Sequence, residues 1–320
     1  MKQDYTYAVA RIRSRELKLL SKKDIEALMS LKTYDECIDY LIDKGYGDDD
    51  GERDESNFLA QERSRLWELI SELVPDLSVF DVFRCADDFQ NLKISIKAVT
   101  RGAEPLFMQN GSVSGESIYR CVQEQDYGSL PDYLRQVSQS ALTVLLQTGD
   151  GQSCDLIIDS AYLNTLYELA EKSDCEVIKL YSELTIACAD ILAAVRCERI
   201  GKKHGFIIRA LAPCNTINIE ILARAAAKSF DDIISYLSVT EYAPATEQLK
   251  ISIPAFEKWR DNYLIDKIKP QKYEPFTISP ISAYIIAKEN ELKAVRLILT
   301  AKLNDLDTRT VSERLRDMYV

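Results

Sequence analysis

The chain has 320 residues, 46% of them hydrophobic, and a formal net charge of −11, so it can bury a sizeable core and is repelled by phosphate backbones and anionic lipid surfaces. That balance argues against nucleic acid as a partner and against direct lipid insertion. The eight cysteines form no C-x-x-C pair and no apolar signal region stands at the N-terminus, which predicts a reduced, cytosolic setting.

Glycine and proline are scarce, at 11 and 9 residues, and apolar positions recur at three- and four-residue spacing, which predicts an all-α fold. An opening helix carries Ala8, Ile12, Leu17, Leu19 and Leu20, with Arg11, Arg13, Arg15 and Lys18 on its other face. Ser21, with Asp24 three residues on, has the pattern of an N-cap ahead of Ile25, Leu28 and Leu31. A short helix is expected from Tyr34 to about Lys44, closed by Gly45. The acidic run Asp48 to Glu55 offers no register of oxygen ligands for a calcium loop and reads as solvated chain. A helix around Leu59 to Leu73, a break at Val74-Pro75 and a long helix from about Val79 to Thr100, ending at Gly102, follow.

Farther on, Ser114 lies 93 residues after Ser21 and again opens a helix, with Ile118 in the place of Ile25. Longer helices are expected over Asp159 to Lys172 and Cys175 to Ile200. The most apolar stretch, Leu184 to Val195, contains Asp190 and falls short of the roughly 20 residues that cross a bilayer. Phe206 to Leu211 is the best strand candidate and stands isolated; Ile268 to Pro275 reads as a proline-bearing loop. His204, the only histidine, lies in a basic turn with no zinc spacing around it.

Two signatures recur through this series. Tyr34-Asp-Glu-Cys-Ile-Asp-Tyr-Leu41 is echoed by Tyr127-Gly-Ser-Leu-Pro-Asp-Tyr-Leu134 and Phe230-Asp-Asp-Ile-Ile-Ser-Tyr-Leu237. Asn91-Leu92-Lys93, Ile191-Leu192-Ala193 and Glu291-Leu292-Lys293 follow downstream, their leucines 100 residues apart. Trp67 and Tyr167 are also 100 residues apart, each 25 residues before the leucine of its copy, and Trp259 is their counterpart, standing 33 residues before Leu292. Repetition at this period predicts three similar helical domains, over 1–102, 103–201 and 202–320. Asn91, Leu92, Lys93, Leu192, Leu292, Lys293, Trp67 and Tyr167 are therefore read as a structural repeat motif. Asp87-Asp88, Asp190 and Asn290 recur beside it and read as packing or capping groups.

No Gly-Lys-Ser/Thr phosphate loop and no G-x-G-x-x-G occurs. Gly201-Lys-Lys-His-Gly205 lacks the spacing and the hydroxyl, and reads as a helix end. Catalytic, cofactor and metal residues are accordingly expected to be none.

Tyr5-Thr-Tyr-Ala-Val-Ala-Arg-Ile-Arg-Ser-Arg-Glu-Leu-Lys-Leu-Leu20, with Asp24-Ile-Glu-Ala-Leu28, Tyr40-Leu-Ile-Asp-Lys-Gly-Tyr46 and Asp88-Phe-Gln-Asn-Leu-Lys93, resembles the C subunit of the A/V-type (V-type) rotary ATPases and ATP synthases, a family that includes the d subunit of the eukaryotic V-ATPase. The second copy departs from the Asn-Leu-Lys signature, reading Asp190-Ile-Leu-Ala193. The resemblance implies a funnel of three helical domains about a pseudo-threefold axis. It implies a non-catalytic central-stalk subunit without cofactor, a socket between the central-shaft subunits of the ATPase head and the proteolipid ring, peripheral on the cytoplasmic face of a membrane. The competing reading is a helical-repeat adaptor that binds soluble protein partners; an all-helical carboxylate enzyme is a third.

Overall fold

A computed structural model describes residues 5–47 and 54–320. Among the described residues the fold is all-α, with no strand. In chain order the helices are α1 (Thr6–Glu16), α2 (Lys22–Ser30), α3 (Tyr34–Asp43), α4 (Glu55–Leu73) and α5 (Asp81–Arg101). Next come α6 (Gly115–Glu124), α7 (Asp132–Thr148), α8 (Gly151–Glu171), α9 (Glu176–Arg199) and α10 (His204–Ala210). The series closes with α11 (Ile219–Ala226), α12 (Phe230–Leu237), α13 (Thr246–Ile251), α14 (Ile253–Ile268), α15 (Ser279–Leu303) and α16 (Thr308–Arg314). No helix among the described residues is long and apolar enough to cross a membrane.

Local chemistry sets the helix boundaries. Ser21 with Asp24, and Thr33 with Glu36, form reciprocal capping boxes at the starts of α2 and α3. Ser114, Asp150, Asn218, Ser229 and Ser252 cap α6, α8, α11, α12 and α14 through their side-chain oxygens, each worth about 1 kcal/mol. Gly102 and Gly149 end α5 and α7 at φ of 68° and 67°, a left-handed conformation that a Cβ disfavours.

Several expectations need amending. The helix expected from Asp159 begins at Gly151, because Gly149 stops α7 and Asp150 immediately caps α8. Phe206 to Leu211, too isolated to make a sheet, makes none: Phe206 to Ala210 lie in α10 and Leu211 is its C-cap, as the all-α reading requires. His204 is not in a turn but is the first residue of α10, half exposed, with Nε2 3.3 Å from the Glu220 carboxylate. The chain after Ile268 takes a 3₁₀ turn over Lys269–Tyr273 before it becomes irregular. Of the acidic run, residues 48–53 lie outside the described residues, while Glu55 opens α4 and accepts the Thr300 hydroxyl at 2.9 Å.

The helices group into two compact units. The first comprises Met1–Leu77, Cys175–Leu180 and Pro244–Val320. Its core helix is α15, against which α1, α2, α3, α4 and α14 pack. Leu20, Ile25, Leu28, Ile38, Leu41, Phe58 and Leu59 meet Leu292, Val295, Ile298 and Leu299 in one buried cluster, at about 1.5–3 kcal/mol for each large side chain removed from water. The second unit comprises Ser78–Asp174 and Tyr181–Ala243. There α5 packs on α6, α7 and α8, α7 on α8, and α11 on both α10 and α12. Phe89, Leu92, Ile96, Ile118, Leu134, Ile158 and Leu166 are buried at its centre.

Candidate functional site: polar anchors on the long helices

Three long helices, α5, α9 and α15, bury polar side chains that an apolar core tolerates only when they are hydrogen-bonded. On α5, Asn91 is fully buried; its Nδ2 donates to the Met108 carbonyl at 2.9 Å and its Oδ1 accepts the Met108 N–H at 2.8 Å. One turn earlier, Asp88 Oδ1 accepts the Val113 N–H at 3.1 Å, and Oδ2 accepts the hydroxyls of Ser112 at 2.6 Å and Tyr133 at 2.7 Å. Helix α5 thereby fixes the segment that ends at Ser114, the N-cap of α6.

The same device stands on α9. Asp190 Oδ1 accepts the Ala212 N–H at 3.0 Å. Glu183 Oε1 accepts the N–H groups of Asn215 and Thr216 at 2.8 and 2.7 Å and the Thr216 hydroxyl at 2.6 Å. Thr216 Oγ1 in turn lies 2.7 Å from the Tyr242 hydroxyl. The segment so held leads to Asn218, the N-cap of α11. The Oδ2 of Asp190 is buried without a hydrogen-bond partner. Burial pushes its carboxyl up to about 7, the Ala212 N–H opposing and the Glu183 charge reinforcing the shift.

On α15, Asn290 Nδ2 donates to the Asp317 carbonyl at 3.0 Å. Glu291, 2% exposed, accepts the Leu20 N–H and the Tyr46 hydroxyl. Lys288 Nζ sits 2.8 Å from Glu291 and 3.2 Å from Glu62, and 4.0 Å over the Tyr46 ring. Leu20 immediately precedes Ser21, the N-cap of α2. In each of the three places a carboxylate on a long helix accepts the backbone N–H of the turn that leads into a short helix, and a tyrosine hydroxyl joins the network.

The residues of the repeat motif take defined places around these anchors. Leu92, Leu192 and Leu292 are buried at 0%, 7% and 4% exposure, so they are packing residues of their own helices. Lys93 pairs with Asp159 at 2.5 Å, whereas Lys293 is exposed. Trp67 on α4 and Tyr167 on α8 are half-buried. Trp259 stacks between Phe256 and Tyr263 at centroid distances of 6.0 and 5.2 Å. The carboxylates Glu183 and Glu291, and the tyrosines Tyr46 and Tyr242, do not stand out in the sequence as anchors. A signal for the tyrosines is present, since each follows the last leucine of its signature, Leu41 or Leu237, by five residues.

Most of these oxygens are saturated by donors from the chain itself and hold the turns in place. Among the described residues no group of three or more His, Cys, Asp or Glu side chains is placed to hold a metal ion.

Comparison with known proteins adds a long-range observation. Residues 8–314 match the family described as ATP synthase (C/AC39) subunit. The chain is 26% identical to the C subunit of the V-type sodium ATPase of Enterococcus hirae, over 96% of this chain and 97% of the relative. It is also 26% identical to the C subunit of the A-type ATP synthase of Methanocaldococcus jannaschii, over 97% and 86%, and 23% identical to that of Methanosarcina mazei, over 98% and 92%.

Proposed function

The chain belongs to the ATP synthase (C/AC39) subunit family, and from that premise we propose that it is the non-catalytic central-stalk subunit of a V-type rotary ATPase. In this reading it is a socket that receives the central shaft of the ATPase head and rests on the proteolipid ring of the membrane sector. Torque from ATP hydrolysis passes through it to the ring, and in the reverse direction during synthesis. The division into three helical repeats, 1–102, 103–201 and 202–320, set about a pseudo-threefold axis, belongs to the same proposal, as does a peripheral position on the cytoplasmic face.

The observation that carries it is the match of nearly the whole chain, with relatives covered over 86–97% of their own length. Two physical features support it. A coupler has to be stiff, and close-packed helices transmit strain with little compression; the buried anchors of α5, α9 and α15 add fixed turns to that packing. An acidic chain of net charge −11 suits partners with basic docking faces, where charge sets register and rate of association.

The test is a pull-down of the tagged chain from detergent-solubilised membranes of its own host, with mass spectrometry of the copurifying chains. Recovery of shaft and proteolipid subunits in a salt-sensitive complex supports the socket. Recovery of soluble proteins alone removes it and favours the adaptor reading.

A further inference from the structure

The end of α1, the turn after α3, α4 and α15 enclose a cavity of about 290 Å³ within the first unit. Its lining includes five cationic side chains, Arg15, Lys18, Lys44, Arg65 and Lys288, against the carboxylates of Glu62, Glu68 and Glu72, a local excess of positive charge in a chain of net charge −11. Most of these groups are already committed. Glu62 accepts from Arg65 at 2.8 Å and from Gly47 N at 3.1 Å and lies 3.2 Å from Lys288; Lys44 pairs with Asp24 at 2.6 Å, and Glu72 lies 3.7 Å from Arg11.

What remains is a set of donors without acceptors. Among the described residues neither Arg15 nor Lys18 has a carboxylate within ion-pair distance. The third donor is Tyr284, only 7% exposed, which lines the cavity with a hydroxyl that has no hydrogen-bond partner among the described residues. The side chain is buried but lines the cavity, so an acceptor for its hydroxyl comes from what the cavity holds. Burial first, and the nearby Glu291 charge second, keep it protonated and therefore a donor.

We propose that this cavity is an anion site for a phosphate group, with Arg15 and Lys18 supplying the charge and Tyr284 a hydrogen bond. A guanidinium fork matches phosphate oxygens, and a dianion balances both free cations where a single carboxylate balances one. The volume admits a phosphate group with ordered water, at about 30 Å³ per water molecule. Phosphate of this kind can come from a free anion or from a phosphomonoester lipid headgroup, since the shared chemistry is the same.

The test is calorimetric titration of the full chain with inorganic phosphate at low ionic strength, beside cosedimentation with phosphatidylcholine vesicles containing phosphatidic acid. Saturable binding in either arm, weakened about tenfold by Arg15→Gln and several-fold by Tyr284→Phe, is the expected result; the arm that responds identifies the source. Lys18→Gln, at an exposed position, gives the same direction should Arg15→Gln disturb folding. Absence of saturable binding in both arms, or binding that Arg15→Gln and Lys18→Gln leave unchanged, overturns the proposal.

Discussion

Glu291 accepts the backbone N–H of Leu20, 271 positions earlier in the chain. The bond ties the last long helix to the turn that starts α2, and Glu291 also balances Lys288 at 2.8 Å. Without the carboxylate the buried Leu20 N–H and the Tyr46 hydroxyl lose their acceptor, while Lys288 keeps Glu62 at 3.2 Å, a cost on the order of 3 kcal/mol. Glu291→Ala is therefore expected to destabilise the first unit by about that much, and Glu291→Gln, which keeps an acceptor for Leu20, by less. Urea unfolding followed by fluorescence reads the difference; equal midpoints for wild type and Glu291→Ala would show that the anchor contributes nothing.

Asp190 makes stability depend on pH in the second unit. Its carboxyl in the folded chain titrates at about 7, above the ordinary value near 3.9 that it has when unfolded. The folded state thus holds the proton more tightly. The contribution is fully present below about pH 4 and is lost as the pH rises to about 7. Asp190→Asn, which places there the amide that the third copy has at Asn290, should raise the melting temperature at pH 8 and leave it nearly unchanged at pH 4. A gain of the same size at both values would remove this assignment.

Asn91 is expected to be among the costlier polar positions to truncate. Alanine there leaves both the N–H and the carbonyl of Met108 without their partner, a loss on the order of 3 kcal/mol. Amide hydrogen exchange gives a local readout: Met108 should lose protection in Asn91→Ala at a denaturant concentration where α8 stays protected. Protection of Met108 equal to wild type would show that the loop is held by other contacts.

The cysteines give a chemical probe of packing. All eight are free, seven of them buried, and burial pushes the half-buried Cys214 thiol up to about 12. Since the thiolate is the reactive form, alkylation by iodoacetamide at pH 8 should be slow in the native chain and complete in guanidinium chloride. Rapid modification of Cys37 or Cys188, both fully buried, would contradict the packing described.

Much of the local structure was legible because its causes are local. Ser21 and Asp24 are three residues apart and cap each other, and Gly102 stops α5 where a Cβ would be strained. The recurrence of Asp88, Asp190 and Asn290 was visible too, but its meaning was not. The partners Val113, Ala212 and Asp317 lie 22 to 27 residues away across irregular turns, and no pattern in the sequence names a backbone group as a partner. The Leu20 anchor on Glu291 is less accessible still, since pairing across 271 positions is decided by packing. Phe206 to Ala210 shows another limit: an apolar run this short fits helix and strand equally, and helical context decided it. For Trp67 and Tyr167, both half-buried, the 100-residue interval gave the counterpart but not the depth.

The coupling role is tested most directly by rebuilding the rotary ATPase in proteoliposomes with and without the chain and measuring ATP-driven ion uptake beside ATP hydrolysis. Hydrolysis should persist without the chain while ion uptake is lost, and adding the purified chain should restore uptake. Ion uptake at the full rate in its absence would contradict the passage of torque through it.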